Sequence, residues 1–151
     1  MGAVTYPNAE VDRYLNQYFV PVQFNVIEHP EAFTQFHSAW TPTIIVQDAS
    51  GVEHRRSQGY LDPLRLLGEL SLARLKDALD RQDFEAAKQR LDDAIKYTRG
   101  DAAREPEAMY WSAVIAYKTS KDSTGLISGW EKLLNTFPES EWAKRAEFIR
   151  M

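Results

Sequence analysis

Apolar residues return every three to four positions over 9–18. Val11, Tyr14, Leu15 and Tyr18 carry this spacing behind Asn8, a residue able to cap a helix start, so the pattern predicts an amphipathic helix from Ala9 to Tyr18. The period then changes. Val20, Val22, Phe24 and Val26 alternate with other residues, which predicts a strand over 20–27, with Pro21 tolerated near its beginning. Pro30 suits a first helical position, and Ala32, Phe33 and Phe36 extend that helix to about Ser38. The β-branched run Thr43-Ile44-Ile45-Val46 predicts a buried strand. Asp48-Ala49-Ser50-Gly51 predicts a tight turn, and Val52 to Gln58 a polar edge strand, so that the two strands form an antiparallel hairpin closed at Gly59-Tyr60. Asp62-Pro63 is a cap followed by proline at the first helical position. The order is helix, strand, helix, strand, strand, helix. Two strands joined through a helix are expected to be parallel, with a right-handed crossover.

After Leu70 only helical periodicity remains. Leu72, Leu75 and Leu79 continue the helix that starts near Pro63, to about Arg81. A second helix opens at Asp83-Phe84 and closes at Thr98-Arg99-Gly100. A third starts at Pro106, and its Ala108, Tyr110, Trp111, Val114, Ile115 and Tyr117 spread over more than one face, the pattern of a helix with neighbours on two sides. A fourth begins at Ser123 or Thr124 and breaks at Phe137-Pro138. Ser140 caps a fifth that holds Trp142, Ala143, Ala146 and Ile149.

Charge and composition narrow the function classes. Lys plus Arg is 18 and Asp plus Glu is 22, a net charge of −4. An acidic chain lacks the positive field that binding to nucleic acid or to an anionic membrane requires. No apolar run approaches the roughly 20 residues of a membrane-spanning helix, and Met1–Pro7 is not a signal peptide, so the expected compartment is cytoplasmic. There is no cysteine among the 151 residues. That excludes disulfides, thiolate metal sites, cysteine nucleophiles and dithiol redox chemistry by this chain alone.

The remaining chemical candidates are weak. His29, His37 and His54 match no common zinc spacing. His54-Arg55-Arg56 could grip an anion, but alternating charge that protects a sheet edge is the better reading. Adjacent Asp92 and Asp93 cannot face one another on a helix, and Ser50 and Ser57 have no nucleophile context. Trp111, Trp130 and Trp142 read as core. The expectation is no catalytic residue, no metal and no cofactor.

Two resemblances organise these elements. Phe19-Val20-Pro21-Val22, Trp40-Thr41-Pro42-Thr43, Asp48-x-x-Gly51 and Gly59-Tyr60-Leu61, in that order, resemble the later part of a thioredoxin-like domain over about Ala3–Leu70. The resemblance implies a proline at Pro42 that is usually cis and that presents backbone to an extended substrate. Trp40, Thr41 and Pro42 are therefore the candidate peptide-docking residues. The family's first strand and its Cys-x-x-Cys motif have no counterpart here. Asp83-Phe84-Glu85-Ala86-Ala87 and Trp130 to Ser140 resemble degenerate tetratricopeptide-type helical hairpins, although the 42-residue offset between Leu91 and Leu133 departs from the usual repeat of about 34.

The expected architecture is α/β: an incomplete thioredoxin-like three-layer unit with a mixed sheet over 1–70, and an all-α extension of helical hairpins over 71–151. The expected function is a non-catalytic protein-interaction or self-assembly module. Its partner is a protein, a peptide or a second copy in a homodimer, with no nucleic acid and no membrane. The alternative is a fragment of a thiol–disulfide oxidoreductase whose dithiol segment lies upstream of Met1.

Overall fold

Asn8 opens the first helix by accepting hydrogen bonds on its side-chain oxygen from the N–H groups of Glu10 and Val11, at 3.0 and 3.2 Å. The helix, α1, spans Ala9–Tyr18 and buries Val11 and Tyr14, its inward positions one turn apart. In the computed structural model, which describes residues Met1–Met151, six more α-helices and two strands follow. They are α2 (Glu31–Gln35), β1 (Thr43–Gln47), β2 (Glu53–Gln58), α3 (Pro63–Asp80), α4 (Phe84–Thr98), α5 (Glu105–Ser120), α6 (Ser123–Thr136) and α7 (Glu141–Ala146). A final 3-10 turn covers Glu147–Arg150. The chain divides into two units, Met1–Leu67 and Gly68–Met151, with the division falling inside α3. No helix is long and apolar enough to cross a membrane.

In the first unit β1 and β2 form a two-stranded antiparallel sheet. Thr43 lies opposite Gln58 and Val46 opposite Arg55, and an irregularity between Val46 and Gln47 shifts the register next to the turn. This sheet corrects two expectations. Residues 20–27 form no strand, so there is neither a parallel pair nor a mixed sheet. A strand exists only where a neighbour supplies hydrogen bonds, and the Val20–Val26 alternation finds none. β1 is also half-buried rather than buried, with Thr43 to Val46 partly exposed and Gln47 exposed. α2 is shorter than its apolar spacing suggests. Pro30 precedes it without a side-chain cap, and His37 adopts a left-handed φ of 47° that ends the turn before Ser38. At the N-terminus the buried Thr5 hydroxyl donates to the Leu61 carbonyl at 2.7 Å and ties the first turns to the end of the hairpin.

The second unit is built around α5. One side of α5 places Ala108 and Ile115 against Leu72, Leu75 and Ala78 of α3 and Ala87 and Ala94 of α4. Its other side places Ala113 against Trp130, Leu133 and Leu134 of α6 and Ala143 and Ala146 of α7. This two-sided burial is why its apolar residues follow no single stripe. Each large aliphatic side chain buried in these cores contributes about 1.5–3 kcal/mol relative to exposure. The helix ends are set by local chemistry. The Asp83 carboxylate accepts from the Ala86 N–H, Asp122 from Thr124 and Ser140 from Ala143, all within 3.0 Å. α3 and α4 are further joined by ion pairs, Arg74 to Asp93 at 2.9 Å and Arg90 to Asp77 at 2.6 Å. Arg104 sits between two carboxylates. Its Nε donates to Glu69 at 2.5 Å and its Nη1 to Asp101 at 2.8 Å. Burial works to raise the Asp101 carboxyl, but the Ala103 N–H and the Arg104 guanidinium together hold it below its ordinary value.

α5 and α6 are in close contact at Gly129, where an added Cβ would stand 2.7 Å from the Ala113 Cβ. Alanine gains about 1 kcal/mol of helix propensity over glycine, but overpacking costs about 1–3 kcal/mol and the Ala113 methyl has no rotamer into which to retreat. Gly129→Ala is expected to lose about 1 kcal/mol in urea unfolding, and the double variant Gly129→Ala/Ala113→Gly to recover most of the crowding cost. Arg104→Ala removes the cation between two largely buried carboxylates and is expected to cost about 3 kcal/mol in the same measurement.

Candidate functional site

Two hydrogen bonds and a cis proline mark the residues leading into β1. The Thr41–Pro42 peptide is cis. The Thr43 hydroxyl donates to the Trp40 carbonyl at 2.6 Å, closing a turn over the proline. The Pro42 carbonyl accepts from the Gly59 N–H at 2.8 Å, which joins the turn to the far end of β2. Gly59 makes this contact at a φ of 91°, a conformation that glycine adopts at little cost. Trp40 lies ahead of the hairpin and is 68% exposed. Trp40, Thr41 and Pro42, the docking residues expected from sequence, thus stand contiguous at the start of β1.

The Pro42–Gly59 bond also fixes which β1 groups face outward. Opposed residues in an antiparallel ladder alternate between hydrogen-bonded and non-hydrogen-bonded pairs. Since Pro42 and Gly59 are a bonded pair, so are Ile44 with Ser57 and Val46 with Arg55. The pairs Thr43–Gln58 and Ile45–Arg56 lie between them. The N–H and C=O groups of Thr43 and Ile45 therefore point away from β2, along an edge that no other strand meets.

A second apolar feature is the run whose alternation predicts a strand. Residues Val20–Asn25 run outside any regular element, with Val20 90% exposed, Val22 70% and Phe24 47%. Phe24 rests its ring against Phe36 and His29, at centroid distances of 5.6 and 5.9 Å. Asn25 ends the segment. Its carbonyl accepts from the Glu28 and His29 N–H groups and its side chain accepts from the Ile27 N–H.

The polar groups of the hairpin serve its own turn. One Asp48 carboxylate oxygen accepts from the Ser50 N–H at 2.9 Å, the Ser50 hydroxyl at 2.6 Å and the Val52 N–H at 3.0 Å. The other lies 3.2 Å from His54 Nε2. The Ser50 hydroxyl first, then the Val52 N–H, hold the Asp48 carboxyl far below its ordinary range. Arg56 forks onto Glu53 through Nε and Nη2 at 2.8 and 2.6 Å, which lowers the Glu53 carboxyl and raises the guanidinium. His54 and Arg56 of the basic triplet are thus already engaged with carboxylates of the same hairpin, and Ser50 is a turn hydroxyl.

In the second unit the tryptophans belong to the core. Trp130 is buried, stacks on Tyr110 at 5.1 Å and donates from its indole N–H to the Tyr110 carbonyl at 3.3 Å. Trp111 and Trp142 meet edge to face at 5.8 Å, and the Arg145 guanidinium lies 4.5 Å above the Trp142 ring. Asp93, one of the adjacent aspartates, is the partner of Arg74. A depression lined by Ala102, Phe137, Pro138, Glu139 and Ser140 holds one hydroxyl, which already caps α7. No protein-family model, curated protein or solved structure matches this chain.

The Asp48 turn has a pH signature. The folded hairpin favours the ionised carboxylate, so this contribution is complete above the unfolded value of about 3.9 and is lost as pH falls below it. Asp48→Ala removes it at every pH. The gap in β1–β2 amide protection between wild type and variant is expected to be full near neutral pH and to shrink steadily below about pH 4. A gap that stays constant on acidification is the contrary result.

Proposed function

We propose that this chain is a protein-interaction module with no chemistry of its own, and that it engages an extended polypeptide at Trp40, Thr41 and Pro42 and along the β1 edge. The observation that carries this reading is the exposure of the Trp40 indole beside outward-facing backbone groups of Thr43 and Ile45. Strand addition is a recurring mode of peptide recognition, in which main-chain bonds supply affinity and flanking pockets or rings supply selectivity. Large aromatic rings are the side chains on which binding energy concentrates. The reading is of an incomplete thioredoxin-like unit whose docking half lacks the reacting dithiol, since exchange requires a thiolate. It joins that unit to helical hairpins of the tetratricopeptide kind.

A second reading is favoured by the order of the matched motifs over 3–70. On that reading the chain is the later portion of a thiol–disulfide oxidoreductase, and an in-frame Cys-x-x-Cys within a few tens of codons upstream of Met1 is the observation that selects it.

Selection from a displayed library of extended peptides tests the first reading. Expected are uncharged, β-branched sequences that bind the whole chain and lose at least about tenfold in affinity on Trp40→Ala, with circular dichroism unchanged. Selected peptides that bind wild type and Trp40→Ala equally would place the contact elsewhere and sink the proposal.

A further inference from the structure

We infer that the occupant of the β1 edge is a second copy of this chain, which supplies Val20–Asn25 as the added strand while receiving the same segment in return. This rests on the reading of β1 as a docking edge and names its partner.

Both halves of such a seam lie in the first unit. The acceptor is the outward N–H and C=O pairs of Thr43 and Ile45. The donor is a run of matching length whose main chain, from Val20 to Phe24, pairs with no strand. The donor's sequence suits an edge position. Val20, Val22 and Phe24 share one alternation, and Pro21 occupies the other, so its missing N–H faces away from the seam when the even residues bond.

Charge points to the same partner. Neither Phe19–Asn25 nor Trp40–Gln47 contains a charged residue, in a chain where 26% of residues are charged. Open strand edges are normally protected by charge, and β2, with Glu53, Arg55 and Arg56, is protected in this way. β1 is not. Two neutral strips from two copies of an acidic chain can meet without bringing like charges together.

Symmetry doubles the area such a seam can cover. A standard interface buries about 800 Å² on each partner. In a reciprocal, two-fold arrangement every copy is donor and acceptor at once. Each would then cover Val20, Val22 and the half of Phe24 left exposed, together with the Trp40 flank.

Sedimentation equilibrium on the full chain reads the assembly, and single-cysteine variants read the seam, because the chain has no cysteine of its own. The expected results are a dimer for wild type and, for Val22→Lys, at least a roughly tenfold weaker dimer with unchanged circular dichroism, because a charge on a strand edge opposes pairing. Oxidation of a mixture of Val22→Cys and Ile45→Cys chains is expected to give the mixed disulfide in excess of either homodimer. A wild type that stays monomeric into the hundreds of micromolar overturns the proposal. So does a dimer indifferent to Val22→Lys that yields no mixed disulfide, and so does an open-ended ladder beyond the dimer. A monomer that still binds extended peptides through Trp40 overturns self-pairing alone and leaves the interaction reading intact. A monomer that binds none ends both.

Discussion

Backbone pairing is the constraint on which this structure turns. Every N–H and C=O taken from water needs a partner, and the cheapest partners lie nearby in the chain. Helices meet that need internally, and the β1–β2 hairpin meets it between segments separated by a tight turn. No pairing between sequence-distant strands is made. The sheet therefore stops at two strands, and the unmet groups of Thr43 and Ile45 remain along its edge.

The helix ends were legible because their causes are local. Asn8, Asp62, Asp83 and Ser140 each sit one residue before a helix and accept from an N–H two or three residues on. Nothing beyond that short window decides the outcome. The hairpin was legible for the same reason, since Asp48 gathers the turn N–H groups onto one oxygen. The reading of Trp40, Thr41 and Pro42 as a candidate site rests only on the order of motifs around them. The outward direction of the Thr43 and Ile45 backbone required the observed Pro42–Gly59 bond.

Residues 20–27 mark where local reading fails. Their alternation is as regular as that of any strand, yet alternation describes which side chains would share a face and says nothing about who sits alongside. Strand formation is a property of a pair, and the second member cannot be read from the first. α5 shows the converse. Its lack of a single apolar stripe is uninformative about which neighbours it has, but it does require neighbours on two sides, and α3–α4 and α6–α7 supply them. The close approach at Gly129 was missed, because a glycine within a helical pattern looks like a weak helix position until the facing Ala113 is known.

The absence of cysteine acquires meaning beside this geometry. A reactive thiol site must balance docking of the substrate against the chemistry that follows, so the docking surface has to release its product. On the proposed reading there is no subsequent step, and the surface needs only to pair. The turn polar groups are consistent with that division of labour. Asp48, Ser50, Glu53 and Arg56 are all committed to holding the hairpin's shape. Among the exposed apolar residues, Trp40 stands beside the open β1 edge, and Val20 and Val22 lie ahead of α2 in a run that pairs with no strand. Exposed rings or exposed strand edges are each ordinary on their own. Their coincidence in one unit means that a single added strand could satisfy main-chain bonding and apolar burial together, and a surface offering both at once favours an extended polypeptide over a small molecule.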